Sequence, residues 1–159
     1  RTSDGPVGFV VGSFFSVSVD PLLVGFAAGR SSYTWSAIKR TGSFCVNVLG
    51  THQLELSARM SGPGDRFEGI SHGDAPVSGA PLLDGVPAWV DCTIDAIHPA
   101  GDHDLVVGRV EAFDVAGDNL EPLIFHRRLF GGFVQVQGGS NGEVGGAVSG
   151  AATDERAAS

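Results

Sequence analysis

The chain is short of the residues on which several common functions depend. It has two cysteines, Cys45 and Cys92, each inside an apolar run and without a C-x-x-C neighbour. That excludes a disulfide framework and a zinc ribbon, and it reads as reduced core thiols in a reducing compartment. Positive charge is scarce as well: ten Lys+Arg stand against 18 Asp+Glu, for a formal charge of −8, with local clusters only at Lys39-Arg40 and Arg127-Arg128. No footprint for a phosphodiester backbone follows, so nucleic acid is not expected as a partner, although one or two local cations still suffice for a small anion. No apolar run is long enough for a membrane-spanning helix and no signal-like segment opens the chain, so a cytoplasmic protein without a membrane partner is expected; the chain starts at Arg1 rather than Met.

Catalytic motifs are missing too. The five histidines, at 52, 72, 98, 103 and 126, form no H-x-x-x-H or Cys-His set with zinc spacing. Asp102-His103-Asp104 is the one tempting cluster, but adjacent residues at a strand start point in different directions, so it reads as a solvated hairpin end and not as a metal site. No G-x-S-x-G elbow, phosphate-binding lysine loop or G-x-G-x-x-G is present, which removes the signatures of hydrolases and dinucleotide-binding α/β folds.

What the chain does have is glycine and proline, 24 and 8 of them in 159 residues, with 42% hydrophobic content. That load disfavours helical bundles and suits short strands joined by tight turns, so a single mainly β domain is expected, closed into a small barrel to hide its strand edges. Residues 7–12 and 22–27 read as strands, and so do 44–49. The segments 88–97 and 104–115 alternate in polarity and read as an antiparallel hairpin, with a last strand expected at 131–134. Ser31-Ser32 ahead of Tyr33-Thr34-Trp35, Lys39-Arg40 in the last turn and Gly42 mark a short helix whose N-terminus suits an anion. A second helix is expected over 53–60, capped by Thr51, with Leu54 and Ala58 inward. Residues 61–79 read as a long excursion, and 138–159, rich in Gly, Ala and acidic residues without an aromatic, read as a flexible tail after a domain spanning 1–137.

Three polar features stand out. Ser13-Phe14-Phe15-Ser16-Val17-Ser18-Val19-Asp20-Pro21 sets hydroxyls along an extended segment, a binding edge for a flat polar ligand. Asn47 lies among apolar strand residues and must find partners. His126 precedes Arg127-Arg128 at the end of an apolar strand, where an aromatic, phosphate-bearing ligand would meet an imidazole and guanidinium groups.

Taken in order, SFFSVSVDP (13–21), SSYT (31–34), GSFCVNVL (42–49), DRF (65–67), PLLDG (81–85), Gly101-Asp102-His103, Gly108-Arg109-Val110 and Phe125-His126-Arg127 resemble the flavin reductase domain of two-component monooxygenase systems. The resemblance spans residues 7–133. It implies a Greek-key split β-barrel with a few short helices, usually a homodimer, that binds FMN or FAD and reduces it with NADH or NADPH. Reduced flavin then leaves for a separate flavin-dependent monooxygenase. By position, Ser13, Ser16, Val17 and Ser18 match contacts to the flavin ring edge and ribityl chain. Ser31, Ser32 and Thr34 match the hydroxyl cluster near the phosphate, and Asn47 a strand position facing the flavin. Arg66 and Phe67 match a border of the pocket, and His126 the histidine on the nicotinamide side, which makes it the candidate catalytic residue. Relatives often read His-Gly or His-Arg-Gly where this chain reads His126-Arg127-Arg128, and they usually carry a helix and first strand ahead of the segment at Val7. A flavin- or small-ligand-binding barrel without turnover is the alternative, since fold and cofactor do not fix a reaction.

Overall fold

The computed structural model describes residues 5–117 and 120–134. The expected tail from 138 onward, and with it the boundary drawn at 137, lies outside the described residues.

One antiparallel sheet carries the domain. Its strands are β1 (Phe15–Val19), β2 (Leu22–Gly29), β3 (Ser43–Val48), β6 (Ala88–Ala100) and β7 (His103–Val115), in the order β1-β2-β7-β6-β3. Two small hairpins pair β4 (His72–Asp74) with β5 (Pro81–Leu83) and β8 (Ile124–His126) with β9 (Leu129–Gly131). The long β6–β7 hairpin is the one the alternation announced, and Gly101 at φ +67° closes its turn. The mainly β, antiparallel class is as expected. Among the described strands, however, the sheet does not close, and β1 and β3 remain as its two edges.

The helix α1 (Tyr33–Thr41) forms where its signals lie: the Ser32 hydroxyl accepts the Trp35 N–H at 3.1 Å, and Gly42 ends it at φ +75°. An αL residue there is easiest for glycine, which has no Cβ to clash. Trp35 and Ala37 face inward. Trp35 joins Val24, Phe26 and Ala28 of β2, Phe44 of β3, Cys92 of β6 and Val106 of β7 in one buried cluster. Phe26 is the hub, edge-on to Trp35 (5.9 Å between centroids) and to Phe44 (5.1 Å). Burying one such side chain contributes about 1.5–3 kcal/mol. Gly108 is required by this packing, because a Cβ on it would lie 2.5 Å from the Phe44 ring.

Three local expectations need correction. Residues 7–12 form no strand despite their alternation; Phe9 and Val11 pack on the core instead, and no neighbouring strand supplies a hydrogen-bond ladder. The second helix is α2 (Leu54–Ser61), preceded by a 3₁₀ turn (Thr51–Gln53), and Gln53 rather than Thr51 satisfies the entry by accepting the Gly50 N–H at 2.9 Å. Its inner face carries Leu56, Ser57 and Met60, while Leu54 and Ala58 are exposed, since Met60, Leu83 and Val86 nucleate a second core on that side. The last described strand is β9, not 131–134, because its register is set by the two-residue turn after His126.

Candidate functional site

The N-terminus of α1 is where charge and open donors meet. Helix geometry leaves the first-turn N–H groups without intrahelical acceptors. Here the Ser32 hydroxyl serves Trp35, and among the described residues the amides of Tyr33 and Thr34 have no acceptor, with the hydroxyl-bearing Ser31 and Thr34 at the same helix start. Arg66 reaches the same point from the excursion. Its Nη1 donates to the Gly8 carbonyl at 2.8 Å and to the Thr34 hydroxyl at 3.3 Å, while its Nε donates to the Gly62 carbonyl at 2.8 Å. A half-buried guanidinium is thus fixed against a helix N-terminus, and both favour an anion.

Phe67 continues this cluster. Its ring lies against Gly8, where a Cβ would come within 3.2 Å of it, and edge-on to His72 at 5.3 Å. An apolar cavity of about 570 Å³ opens beyond, lined among others by Phe9, Phe14, Val46, Asn47, Phe67 and Phe125. That is a volume typical of small-molecule and cofactor sites. Ser31, Thr34 and Arg66 do not themselves line the cavity, but donors suited to an anion beside it, joined to it through Phe67, fit a ligand with a flat ring and a phosphate arm.

The other expected residues distribute as follows. Ser16, Val17 and Ser18 lie on β1, which among the described residues is an edge strand with no partner strand on the side away from β2. A bulge at Val17 breaks the simple alternation between Ser16 and Ser18. Ser13 accepts the Ala27 N–H at 2.9 Å, so its hydroxyl extends the β1–β2 ladder. Asn47 finds its partners within the protein: its amide donates to the Pro81 carbonyl at 3.1 Å and accepts the Leu83 N–H at 2.8 Å, which pins β5 to β3. His126 is exposed at the end of β8, next to Phe125 of the cavity wall.

Asp104 corrects the reading of 102–104 as a solvated end. It shares the inward parity of Val106 and is buried, accepting the Trp35 indole N–H at 2.9 Å and pairing with Lys39 at 3.4 Å and Arg30 at 3.5 Å. The indole hydrogen bond, with Lys39 and Arg30, holds its carboxyl below the usual aspartate value. Asp102 and His103 do stay exposed, 2.7 Å apart, and among the described residues no group of ligands is arranged for a metal. Motif reading missed two residues that hold the surroundings of this cluster in place, Asp104 and Gly8. Parity with Val106 was the available signal for the first; the second contributes a backbone carbonyl, which leaves no side-chain trace.

Cys45 and Cys92 are free, and burial, reinforced by the Asp91 charge, pushes both thiols up to about 12. They are therefore protonated and unreactive near neutral pH.

An antiparallel β domain with a phosphate-ready helix start and an aromatic-lined cavity defines a binder of nucleotide-like ligands. More closely, the chain belongs to the flavin reductase like domain family, whose model matches residues 1–133. It is 41% identical over 130 residues to a flavin reductase of Pseudomonas putida, covering 81% of this chain and 75% of that one. It is 40% identical over 128 residues to HsaB, the reductase subunit of a flavin-dependent monooxygenase in Rhodococcus jostii (strain RHA1), covering 80% of this chain and 65% of that protein. Among solved structures it resembles the nitrilotriacetate monooxygenase component B homologue from Mycobacterium thermoresistibile, with a TM-score of 0.82 at 33% identity, over 94% of this chain and 86% of that one.

Proposed function

We propose that the protein is an NAD(P)H-dependent flavin reductase that works as a cytoplasmic homodimer and supplies free reduced FMN or FAD to a separate flavin-dependent monooxygenase. The observation that carries this reading is Arg66, held at the first turn of α1 beside the apolar cavity. Family membership and the two named reductase relatives support it. Among the described residues no helix is long and apolar enough to cross a membrane. Exposed apolar side chains such as Val19 and Val115 offer surface for a second copy.

In this reading the Tyr33 and Thr34 amides, the Ser31 and Thr34 hydroxyls and Arg66 hold the flavin phosphate. The free edge of β1 at Ser16, Val17 and Ser18 meets the ring edge with backbone donors, where negative charge develops. Phe67 and the cavity wall exclude water, and Asn47 keeps β5 in place as part of that wall. His126 positions the nicotinamide. The flavin supplies the hydride acceptor when bound, so the protein needs no nucleophile or acid–base pair, which agrees with the absence of those motifs.

The test is direct: purified protein is mixed with NADH or NADPH and with FMN or FAD, and the reduced-nicotinamide absorbance is followed. Loss of that band with at least one flavin is expected. No loss in any of the four combinations overturns the reductase reading, and flavin binding without loss would establish a non-catalytic binding domain.

A further inference from the structure

The β8–β9 turn is built against the preference of its own backbone. His126 pairs directly with Leu129, so Arg127 and Arg128 are the two central residues of the hairpin loop. Both are left-handed, at φ +51° and +67°. Such two-residue turns strongly favour Asn-Gly, because a Cβ is strained at positive φ. Two arginines at these positions are a local conflict of the kind that persists at functional sites.

Their charges are also unmatched. Arg30 and Lys39 pair with Asp104, Arg109 with Asp95, and Arg59 and Arg66 donate to backbone carbonyls, while Arg40, exposed in the last turn of α1, has no acceptor among the described residues. Arg127 and Arg128 have no acceptor among the described residues, in a chain of formal charge −8. The turn sits at the edge of the cavity. Phe125 and Phe130, opposite each other across the hairpin with centroids 5.0 Å apart, line its wall. Arg127 follows Phe125 by two positions, at most about 7 Å of extended chain. That separation is comparable to the single riboside unit between a nicotinamide ring and its diphosphate.

We propose that Arg127 and Arg128 form a diphosphate clamp for the nicotinamide dinucleotide, holding its charged centre at the hairpin tip while the nicotinamide enters over Phe125 and His126. The assignment rests on the reductase reading for which end of the ligand lies at His126. A diphosphate suits paired guanidinium groups, which bind phosphate oxygens bidentately. The flavin phosphate already has its own donors at α1. The clamp is indifferent to the 2′-phosphate, so it serves NADH and NADPH alike.

The variant R127N/R128G tests this without threatening the fold, since it writes the preferred Asn-Gly turn. With wild type as reference, KM for both NADH and NADPH is expected to rise about 10- to 100-fold. Meanwhile kcat and the flavin KM stay within about twofold, and KM for reduced nicotinamide mononucleotide, which lacks the diphosphate bridge, changes by less than about threefold. Unchanged dinucleotide KM values overturn the clamp. So does a rise confined to NADPH, which would assign the arginines to the 2′-phosphate, or a rise in flavin KM alone. Calorimetry with ADP separates failure of the clamp from failure of the reductase reading. ADP binding that is lost in R127N/R128G supports a diphosphate site even if no nicotinamide is oxidised, whereas equal binding, or none to either protein, overturns it.

Discussion

Two charged corners of the molecule use their cations in opposite ways. At the junction of α1 with the β6–β7 turn, Arg30 and Lys39 converge on one buried carboxylate, Asp104, and the Trp35 indole completes the set. At the β8–β9 tip, Arg127 and Arg128 stand exposed on strained backbone, without a partner among the described residues. The first arrangement satisfies its charges within the protein and therefore belongs to the scaffold. The second leaves donors pointing outward, and a ligand is what completes it. Arg66 lies between these extremes: its hydrogen bonds tie the excursion to residue 8 and α1, yet its charge has no carboxylate among the described residues and remains available to an anion at the helix start.

Breaking the scaffold corner should have the largest effect. In D104A the buried Trp35 N–H loses its acceptor and two cations lose their partner, so the melting temperature is expected to fall by about 5–10 °C, read by circular dichroism. Because Asp104 anchors the helix to whose N-terminus the proposed function assigns the flavin phosphate, the KM for flavin should rise at the same time. D104N, which keeps an acceptor for Trp35, should recover part of the stability. A melting temperature that does not move would show that α1 is held by its apolar face alone.

The contrast between these corners also explains what the sequence made visible. Helix α1 was legible in full because its determinants are local: Ser32 as cap, Lys39-Arg40 in the last turn, Gly42 as stop. The β6–β7 hairpin was legible because a period of two persists through both strands. Residues 7–12 have the same period but make no ladder, since a strand exists only with a partner and pairing is a non-local fact. For the site the division is similar. The hydroxyls at 31–34 and the serines at 16 and 18 are visible as a pattern of residue type and order, whereas the contacts of Asn47 with β5, the Arg66 crossing to Gly8 and the burial of Asp104 all join residues more than 30 positions apart. The strain at Arg127 and Arg128 could be suspected only by setting their position against the glycine that relatives often carry there.

Acid should act on the same scaffold corner more gently than mutation. The folded-state pKa of Asp104 is lowered from 3.8, first by the Trp35 hydrogen bond and then by its cations. A carboxylate with a depressed folded pKa contributes stability that is fully present above its unfolded value and is lost as pH falls through the folded one. Urea unfolding followed from about pH 6 to about pH 3 should therefore show stability declining below about pH 4, with a shallower decline in D104N. Equal slopes for the two proteins would remove Asp104 from the acid response; the exposed Asp102–His103 pair, whose carboxyl is also lowered, would then be the next group to test.

The smallest effect should come from the tip, and its sign is the informative part. Placing Asn and Gly at 127 and 128 replaces two long side chains on left-handed backbone, where each costs on the order of 1 kcal/mol, by a residue that tolerates this conformation and one without a Cβ, and among the described residues it removes no hydrogen bond or ion pair. Glycine loses more chain entropy on folding, which offsets part of the gain. R127N/R128G is therefore expected to be as stable as the wild type or more stable by up to about 1 kcal/mol in urea unfolding. A clear loss of stability would mean that the guanidinium groups hold the hairpin itself and that the two corners are not opposites after all. A neutral or positive change, together with weakened dinucleotide binding, is the signature of residues kept for a ligand at the expense of the fold.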